Sequence, residues 1–253
     1  MRTIQLLALC AVPLLACRGK DAPGDGFIVF HVSARPAGAA SDTSPPSDVV
    51  ALGPDTIFLS RVRMVLADLA IAPARAGECE EAEGEDLPPC IEFDMHPVVI
   101  DLPLDRPVAS RATMPAPAGA YNLLQVILHK PTPATDTAFL AANPDFTGVS
   151  ILVAGTLSRS GRRRLFTFAS DFTEKEEIAI TPPVHVPPGD SLHVTLRIDA
   201  ASWFKGGDGK TLIDPRSAGP GGPNEHLVRD HIRTSLTVFR DQNRDGQEDG
   251  AAP

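Results

Sequence analysis

The apolar side chains of this chain recur mostly at every second position, and this spacing is its strongest constraint on the fold. Residues 61–66, 121–129 and 192–199 show the pattern clearly. A period of two sends alternate side chains to opposite faces of a β-strand. Clusters of Pro, Gly, Ser and Asp separate such segments at spacings of about 8–12 residues, as is typical of sandwiches. The sequence therefore predicts an all-β fold, an antiparallel β-sandwich.

Helical periodicity is scarce in the chain. Residues 225–232 follow Asn224, a residue type that commonly caps a helix N-terminus, and they form the main helix candidate. Residues 137–142 have room for a single turn. We therefore expect at most one short helix, near the C-terminus. Residues 158–162, which include Gly161, are expected to join two strands as a hairpin.

The charge balance excludes one broad class of function. The chain of 253 residues carries 23 Lys and Arg against 32 Asp and Glu, a formal net charge of −9. Nucleic-acid binders need a basic face to neutralise phosphates, so no nucleic-acid partner is expected. With one Trp and one Tyr, the chain also has few side chains from which to build an extended stacking platform.

Residues 1–16 have the features of a secretory signal peptide. Arg2 supplies a basic start, and residues 4–16 form a mostly apolar stretch. Those thirteen residues span only about 20 Å as a helix, short of the ~30 Å hydrocarbon core, so a permanent membrane helix is not expected. Residues 14–17, Leu-Leu-Ala-Cys, resemble the lipobox of bacterial lipoproteins, in which a cysteine after a small residue is lipidated. The resemblance implies cleavage before Cys17 and lipidation of Cys17.

The same resemblance implies a location. Residues 18–26 are rich in Gly and charged residues, as expected of a flexible tether. Residue 18 is Arg, whereas in lipoproteins of this kind Asp at that position favours retention in the inner membrane. The protein is therefore expected in the bacterial cell envelope, anchored to a membrane by acyl chains. The outer membrane is the expected membrane, with the domain facing the periplasm or the surface.

Cys79 and Cys90 are the cysteines expected to remain in the exported domain, because Cys10 leaves with the signal peptide and Cys17 takes the lipid. An even pair in an oxidising compartment favours a disulfide. Closing this loop would stabilise the fold by roughly 3 kcal/mol in the chain-entropy model. A zinc site would need more thiol or imidazole ligands nearby, and only His96 is close.

Three further segments resemble uncharacterised bacterial envelope lipoproteins that carry a domain of unknown function after the lipobox. They are residues 117–131, 148–157 and 202–215. The resemblance implies an immunoglobulin-like or carbohydrate-module-like sandwich and assigns no chemistry. The expected organisation is a signal peptide over residues 1–16, a lipidated tether and N-terminal segment over 17–54, the sandwich over 55–240 and an acidic tail over 241–253.

The acidic C-terminal segment has the spacing of a calcium loop. Alternate oxygen-bearing residues surround a glycine at residue 246, and such spacing lets side chains converge on one hard cation. The loop resembles the start of EF-hand and dockerin sites, although position twelve is alanine instead of glutamate. A calcium site and a solvated acidic tail both stay open. The candidate ligands are Asp241, Asn243, Asp245, Gln247 and Asp249.

Trp203 and Phe204 are candidate ligand-binding residues, because adjacent rings beside the glycine-rich turn at 206–209 can stack on a sugar. A lone Trp there also fits a buried cap at the end of a sandwich. Neither a G-x-S-x-G elbow nor an H-E-x-x-H helix is present in the sequence, so no catalytic residue is assigned.

Together these features favour a non-enzymatic, lipid-anchored envelope protein that binds a ligand or has a structural role. A glycan or another envelope protein is the expected partner, in addition to the membrane. Two alternatives stay open. One is a carbohydrate-binding module that uses Trp203 and Phe204, and the less favoured one is an envelope hydrolase whose site residues are dispersed along the sequence.

Lipidation at Cys17 is testable by detergent partitioning. The wild-type protein should enter the detergent phase and the membrane fraction, whereas Cys17→Ser should lose both because it has no acyl chain. Cys10→Ser is the matched control and should partition like the wild type. An unchanged membrane fraction for Cys17→Ser would contradict the assignment.

Overall fold

Twelve strands hydrogen-bond into one large mixed sheet in this computed structural model, which describes residues 25–34, 49–74, 91–93, 96–105 and 108–249. Two α-helices and three short 3₁₀ turns, at Pro144–Phe146, Ala200–Ser202 and Pro215–Ser217, complete it. The strands are β1 (Gly26–Ser33), β2 (Val49–Leu52), β3 (Asp55–Pro73), β4 (Ile91–Phe93), β5 (Val98–Asp101), β6 (Ala109–Ala116), β7 (Gly119–Leu128), β8 (Ile151–Arg159), β9 (Arg162–Ser170), β10 (Glu174–Val186), β11 (Ser191–Ile198) and β12 (Leu236–Arg240). The helices are α1 (Thr137–Ala142) and α2 (Glu225–Thr234).

The mostly-β prediction is confirmed, with 53% of residues in strands and 13% in helices. The main path of the sheet runs β6-β1-β11-β12-β10-β7-β3-β8-β9. The prediction of a purely antiparallel sheet is wrong, because β1 pairs with β11 in parallel and β10 pairs with β12 in parallel. Strands far apart in the chain become neighbours here, and this permits parallel pairing. The sheet curls strongly, and a two-layered sandwich is not confirmed.

Strand β3 is the longest element, at 19 residues, and it pairs along both edges. Met64 pairs with β8 and β5, whereas Leu66 pairs with β7 and β5. Strands β7 and β8 therefore lie end to end along one edge of β3, and β5 lies on the other. Between them, the Val65 amide donates to Ser150 O and the Val65 carbonyl accepts from the His129 amide.

A bend follows directly in β3. The register with β7 shifts between Ala67 and Leu69, and Asp68 between them has a positive φ of 46°. An extra residue of this kind increases the local twist of a strand. The bend lies just beyond the point where the pairing of β3 passes from β8 to β7.

The larger of two apolar clusters among the described residues lies inside the curl, and a smaller one gathers Val65, Leu140 and Phe146. Strand β1 contributes Ile28, Phe30 and Val32, which alternate with outward-facing residues, and β11 does the same with its even-numbered residues. Helix α2 covers part of the core with Val228 and Ile232. The period-two prediction is thus confirmed for the strands that carry the core.

The local predictions have mixed outcomes. The helix predicted at 225–232 is confirmed as α2, although the Asn224 side chain donates to Ser217 Oγ and makes no capping bond. The expectation of at most one helix is wrong, because α1 also forms, with Leu140 buried. The hairpin at 158–162 is confirmed, and Ser160 and Gly161 both have positive φ.

Strands β1 and β2 precede residue 55, where the domain was expected to begin, yet both pair within the sheet. The folded unit therefore includes part of the segment assigned to the tether and linker. Cys17, Cys79, Cys90 and the signal peptide lie outside the described residues, so their predicted roles stay predictions. Among the helices in the described part of the chain, none has the length and apolar character needed to cross a membrane.

Candidate functional site

The outer surface of β1, β11 and β12 is unusually polar and yet buried. We call His31, His193, Thr195, Arg197 and Asp241 the polar face. The four on strands β1 and β11 alternate with core residues, so they point away from the apolar core. His31 and Thr195 are nevertheless only 1% and 0% exposed. The polar face is therefore shielded from solvent by other parts of the chain.

The C-terminal segment, residues 241–249, lies against this face. Gln242 accepts a hydrogen bond from the His193 amide and donates one to Ser191 O. Arg244 is close enough to His31, and Glu248 to Arg197, to affect their pKa values. The segment, for which a calcium site and a solvated tail were both open predictions, is thus packed on the sheet.

The Asp241 carboxylate is the anchor of the segment and is fully buried. Its Oδ1 accepts from the Asp245 amide at 3.0 Å, and its Oδ2 accepts from the Gly246 amide at 3.0 Å and from Thr195 Oγ1 at 2.8 Å. Burial raises the pKa of Asp241, and the hydrogen bonds from Thr195, Gly246 and Asp245 offset that effect only in part.

The other predicted calcium ligands close the same loop. Asn243 Oδ1 accepts from the Asp245 amide at 3.1 Å, and Asp245 Oδ1 accepts from the Gln247 amide at 2.8 Å. Asp249 Oδ2 accepts from the Gln242 amide at 2.6 Å. The structure therefore brings all five predicted residues into one turn. Over the described ranges, however, no group of three or more His, Cys, Asp or Glu side chains is arranged to hold a metal ion.

Two histidines and a serine form a second cluster on the polar face, next to the C-terminal segment. His31 Nε2 lies 2.8 Å from His193 Nδ1, the two rings stack, and His31 Nδ1 lies 3.0 Å from Ser110 Oγ. Burial is the largest cause that lowers the pKa of His31 to about 4, and the nearby His193 and the charge of Arg244 contribute to the same shift. A neutral imidazole accepts from one partner and donates to the other, so His31 satisfies both contacts.

This cluster meets the geometric condition for a nucleophile and its base, because Ser110 is exposed and within hydrogen-bond reach of an imidazole. A general base works best with a pKa near the ambient pH. The lowered pKa of His31 makes it a weak base at neutral pH. The cluster is therefore better suited to satisfying buried polar groups than to catalysis.

A polar cleft of about 460 Å³ opens at the far end of β11. Asp199 Oδ1 is buried there and accepts no hydrogen bond from a described residue. The Arg197 guanidinium lies 4.8 Å from the centre of the Phe239 ring, and burial lowers its pKa against the opposing effects of Asp199 and Glu248. The cleft is lined by Arg197, Asp199, Ser202, Lys205, Gly206, Gly207, Gly209, His231, Thr234, Ser235 and Thr237.

Trp203 and Phe204 are next to cleft residues in the chain but lie in the core. Both are 0% exposed. Trp203 Nε1 donates to Ser235 Oγ at 2.8 Å, and Trp203 O lies 3.1 Å from His231 Nδ1. The prediction that these rings stack on a ligand disagrees with their burial. Instead, Trp203 positions Ser235 and His231 at the cleft.

Sequence reasoning missed the cleft residues themselves. Asp199 and Lys205 flank the aromatic pair, and the glycine-rich turn after them was recognised only as a surface turn. His231 comes from α2, some thirty residues later along the chain. No local spacing could have connected these segments.

Comparisons with protein-family models, with curated proteins and with solved structures found no match. The resemblance to envelope lipoproteins therefore stays a prediction.

The lowered pKa of His31 predicts a pH-dependent stability. The unfolded chain binds a proton at a pKa of about 6.5, but the folded chain resists protonation down to about 4. Stability contributed by neutral His31 is thus complete above pH 6.5 and declines as the pH falls to 4, by about 3 kcal/mol. Denaturant unfolding from pH 7 to 4 should show a shallower loss for His31→Asn than for the wild type.

The comparison uses the slope with pH, because His31→Asn also removes hydrogen bonds at every pH. His226→Asn, at an exposed position on α2, is the matched control and should keep the wild-type slope. Equal slopes for His31→Asn and the wild type would show that His31 titrates normally.

Proposed function

We propose that this protein is a lipid-anchored, non-enzymatic binding module of the bacterial cell envelope, and that its ligand binds in the polar cleft. The observation that supports this most directly is the buried Asp199 Oδ1, which lacks a donor in a cleft also lined by Arg197 and Lys205. Buried polar atoms without partners are rare in folded proteins, and rotation of the Asp199 carboxylate would turn this oxygen toward a donor in the cleft.

The chemistry of the cleft favours a polyhydroxylated ligand, such as a sugar. A sugar hydroxyl both donates and accepts, so it can donate to Asp199 while accepting from Arg197 or Lys205. Serine and threonine hydroxyls in the lining add further donors and acceptors. This supports the carbohydrate-binding alternative in a new form, with polar side chains instead of Trp203 and Phe204 as the contacts.

The envelope location rests on the lipobox-like residues 14–17 and on Cys17. The proposed architecture is a sandwich-like, immunoglobulin-type or carbohydrate-module-type fold. Its support is that β10 pairs with both β12 and β7 and so joins the two parts of the curled sheet, around a large apolar core. The Ser110–His31 contact is the basis for a hydrolase alternative, which the low pKa of His31 disfavours.

A glycan array with the full-length protein tests the cleft. The wild type should bind at least one glycan class, and Asp199→Asn should weaken that binding about tenfold or more, because it removes a charged acceptor. Asp230→Asn is the control, since Asp230 is an exposed acid on α2 outside the cleft lining. Unchanged binding for Asp199→Asn would place the ligand elsewhere, and the absence of any glycan signal would contradict a sugar ligand.

We also propose that residues 241–249 bind calcium. The support is the desolvated Asp241 carboxylate on the polar face, together with alternate oxygen ligands and a positive φ of 77° at Gly246. A divalent cation would favour the charged form of Asp241, which burial disfavours. Asn243, Asp245 and Asp249 would contribute further side-chain oxygens, and Gln247 its backbone carbonyl.

Calorimetry with calcium chloride tests this loop. With no twelfth-position glutamate, the affinity should lie in the ~10⁻⁴–10⁻³ M range of extracellular modules. Calcium at several times that concentration should raise the melting temperature modestly, because a ligand stabilises by mass action. Asp245→Ala should abolish both effects, and magnesium should substitute poorly. Asp230→Ala should behave like the wild type. If Asp245→Ala gives the same heat of calcium binding as the wild type, the calcium site is contradicted and residues 241–249 are an acidic segment only.

A further inference from the structure

Four arginines meet at the end of the β8–β9 hairpin. They surround a cavity of about 290 Å³ that we call the arginine cavity. Arg159 ends β8, Arg162 and Arg164 begin β9, and Arg216 comes from the 3₁₀ turn Pro215–Ser217. Leu157 and Asp214 complete the lining. Such a concentration of positive charge is unexpected in a chain with a net charge of −9.

Two of the arginines form hydrogen bonds and ion pairs with other residues of the chain. Arg159 donates to Asp55 Oδ2 at 2.8 Å and to Leu212 O at 2.6 Å. Arg216 binds Asp214 through two nitrogens, at 3.0 and 2.5 Å. The hydrogen bond from Arg216, helped by the charge of Arg159, lowers the pKa of the Asp214 carboxyl. These pairs fix the walls of the arginine cavity and balance their own charges.

The other two arginines have no such partners. The side chains of Arg162 and Arg164 make no hydrogen bond or ion pair with any residue in the described part of the chain, although their backbones pair with β8. They stand two residues apart on β9, so their side chains leave the same face of the strand. The cavity therefore keeps two uncompensated positive charges on one side.

We infer that the arginine cavity binds a phosphate group with Arg162 and Arg164 as its direct ligands. A guanidinium presents a planar fork of N–H donors that matches phosphate oxygens, often in a bidentate manner. Two unpaired guanidinium groups can neutralise the single charge of a phosphodiester or the roughly two charges of a phosphate monoester. The cavity exceeds the size of a phosphate ion, so an organic group attached to the phosphate also fits.

Two sources of phosphate share this chemistry, a lipid headgroup and a soluble phosphorylated compound. Leu165 follows Arg164 directly and is 84% exposed, but it lies on the opposite face of β9, with Arg163, and does not line the cavity. The test therefore includes both sources. The proposal does not depend on the glycan cleft or on calcium.

Isothermal titration calorimetry of the full-length protein in non-ionic detergent, at fixed ionic strength and with a calcium chelator, tests the inference. One arm titrates inorganic phosphate, and the other titrates short-chain phosphatidylglycerol with phosphatidylcholine as its neutral comparison. Arg162→Gln and Arg164→Gln should each weaken binding by about tenfold, because each removes a charge-assisted contact. Arg163→Gln changes the charge equally on the opposite face of β9 and should stay within about twofold of the wild type.

Each outcome decides the inference. Phosphate binding that depends on Arg162 and Arg164 supports it with a soluble source, and binding of phosphatidylglycerol alone supports it with a headgroup source. An equal loss for Arg163→Gln would overturn it, because net charge alone would then explain the binding. No heat in either arm would also overturn it. Circular dichroism melting of each variant confirms that the comparison is between folded proteins.

Discussion

Strand β3 hydrogen-bonds along both edges over most of its length, and the rest of the sheet is arranged around it. Strands β7 and β8 pair with successive parts of the same edge of β3. A residue that allows either strand to approach β3 closely therefore supports the pairing of the whole sheet. Gly155 on β8 is one such residue, because a Cβ there would lie 2.2 Å from Phe58 O. Only glycine permits this approach, and the register shift at Asp68 then adds local twist where β3 pairs with β7.

The two faces of β1 and β11 explain why the candidate sites lie where they do. Their inner residues complete the apolar core, and their outer residues carry His31, His193, Thr195 and Arg197. Buried polar groups destabilise a fold unless they are hydrogen-bonded. Here the C-terminal segment supplies those hydrogen bonds. Asp241 accepts a hydrogen bond from Thr195, and the side-chain amide of Gln242 both accepts from and donates to the backbone of β11. The same segment brings Glu248 near Arg197 at the cleft.

The sequence predicted those parts of the fold that depend on local spacing. The alternation of apolar residues at every second position predicted the strands. Asn224 and the helical spacing of the apolar residues after it predicted α2. Spacing along one segment, however, says nothing about which strand becomes its neighbour. The parallel pair of β1 and β11 joins segments separated by more than 150 residues, and this non-local contact overturned the antiparallel prediction.

The same limit applies to the sites. The proposed calcium loop is contiguous in sequence, so the spacing of its oxygen-bearing residues alone identifies the candidate ligands. The cleft and the arginine cavity combine short segments from distant elements, and neither has a local signature. The lone Trp203 beside a glycine-rich turn has the local features of an exposed platform. In the fold, the buried Ser235 accepts its indole N–H, which makes a fully buried position favourable.

Electrostatics link the separate features. The net charge of −9 repels anions at long range, and salt screens such repulsion beyond about 10 Å. Anions are therefore selected only by contacts at short range, where a cavity fixes its donors in advance. Arg159 and Arg216 are held by carboxylates and keep the walls of the arginine cavity in place, while Arg162 and Arg164 stay unpaired. In the cleft, by contrast, Arg197 lies near both Asp199 and Glu248, so its charge is largely balanced. The two cavities thus differ in net charge, and this difference is the reason why we propose a neutral polyhydroxylated ligand for the cleft and a phosphate for the hairpin.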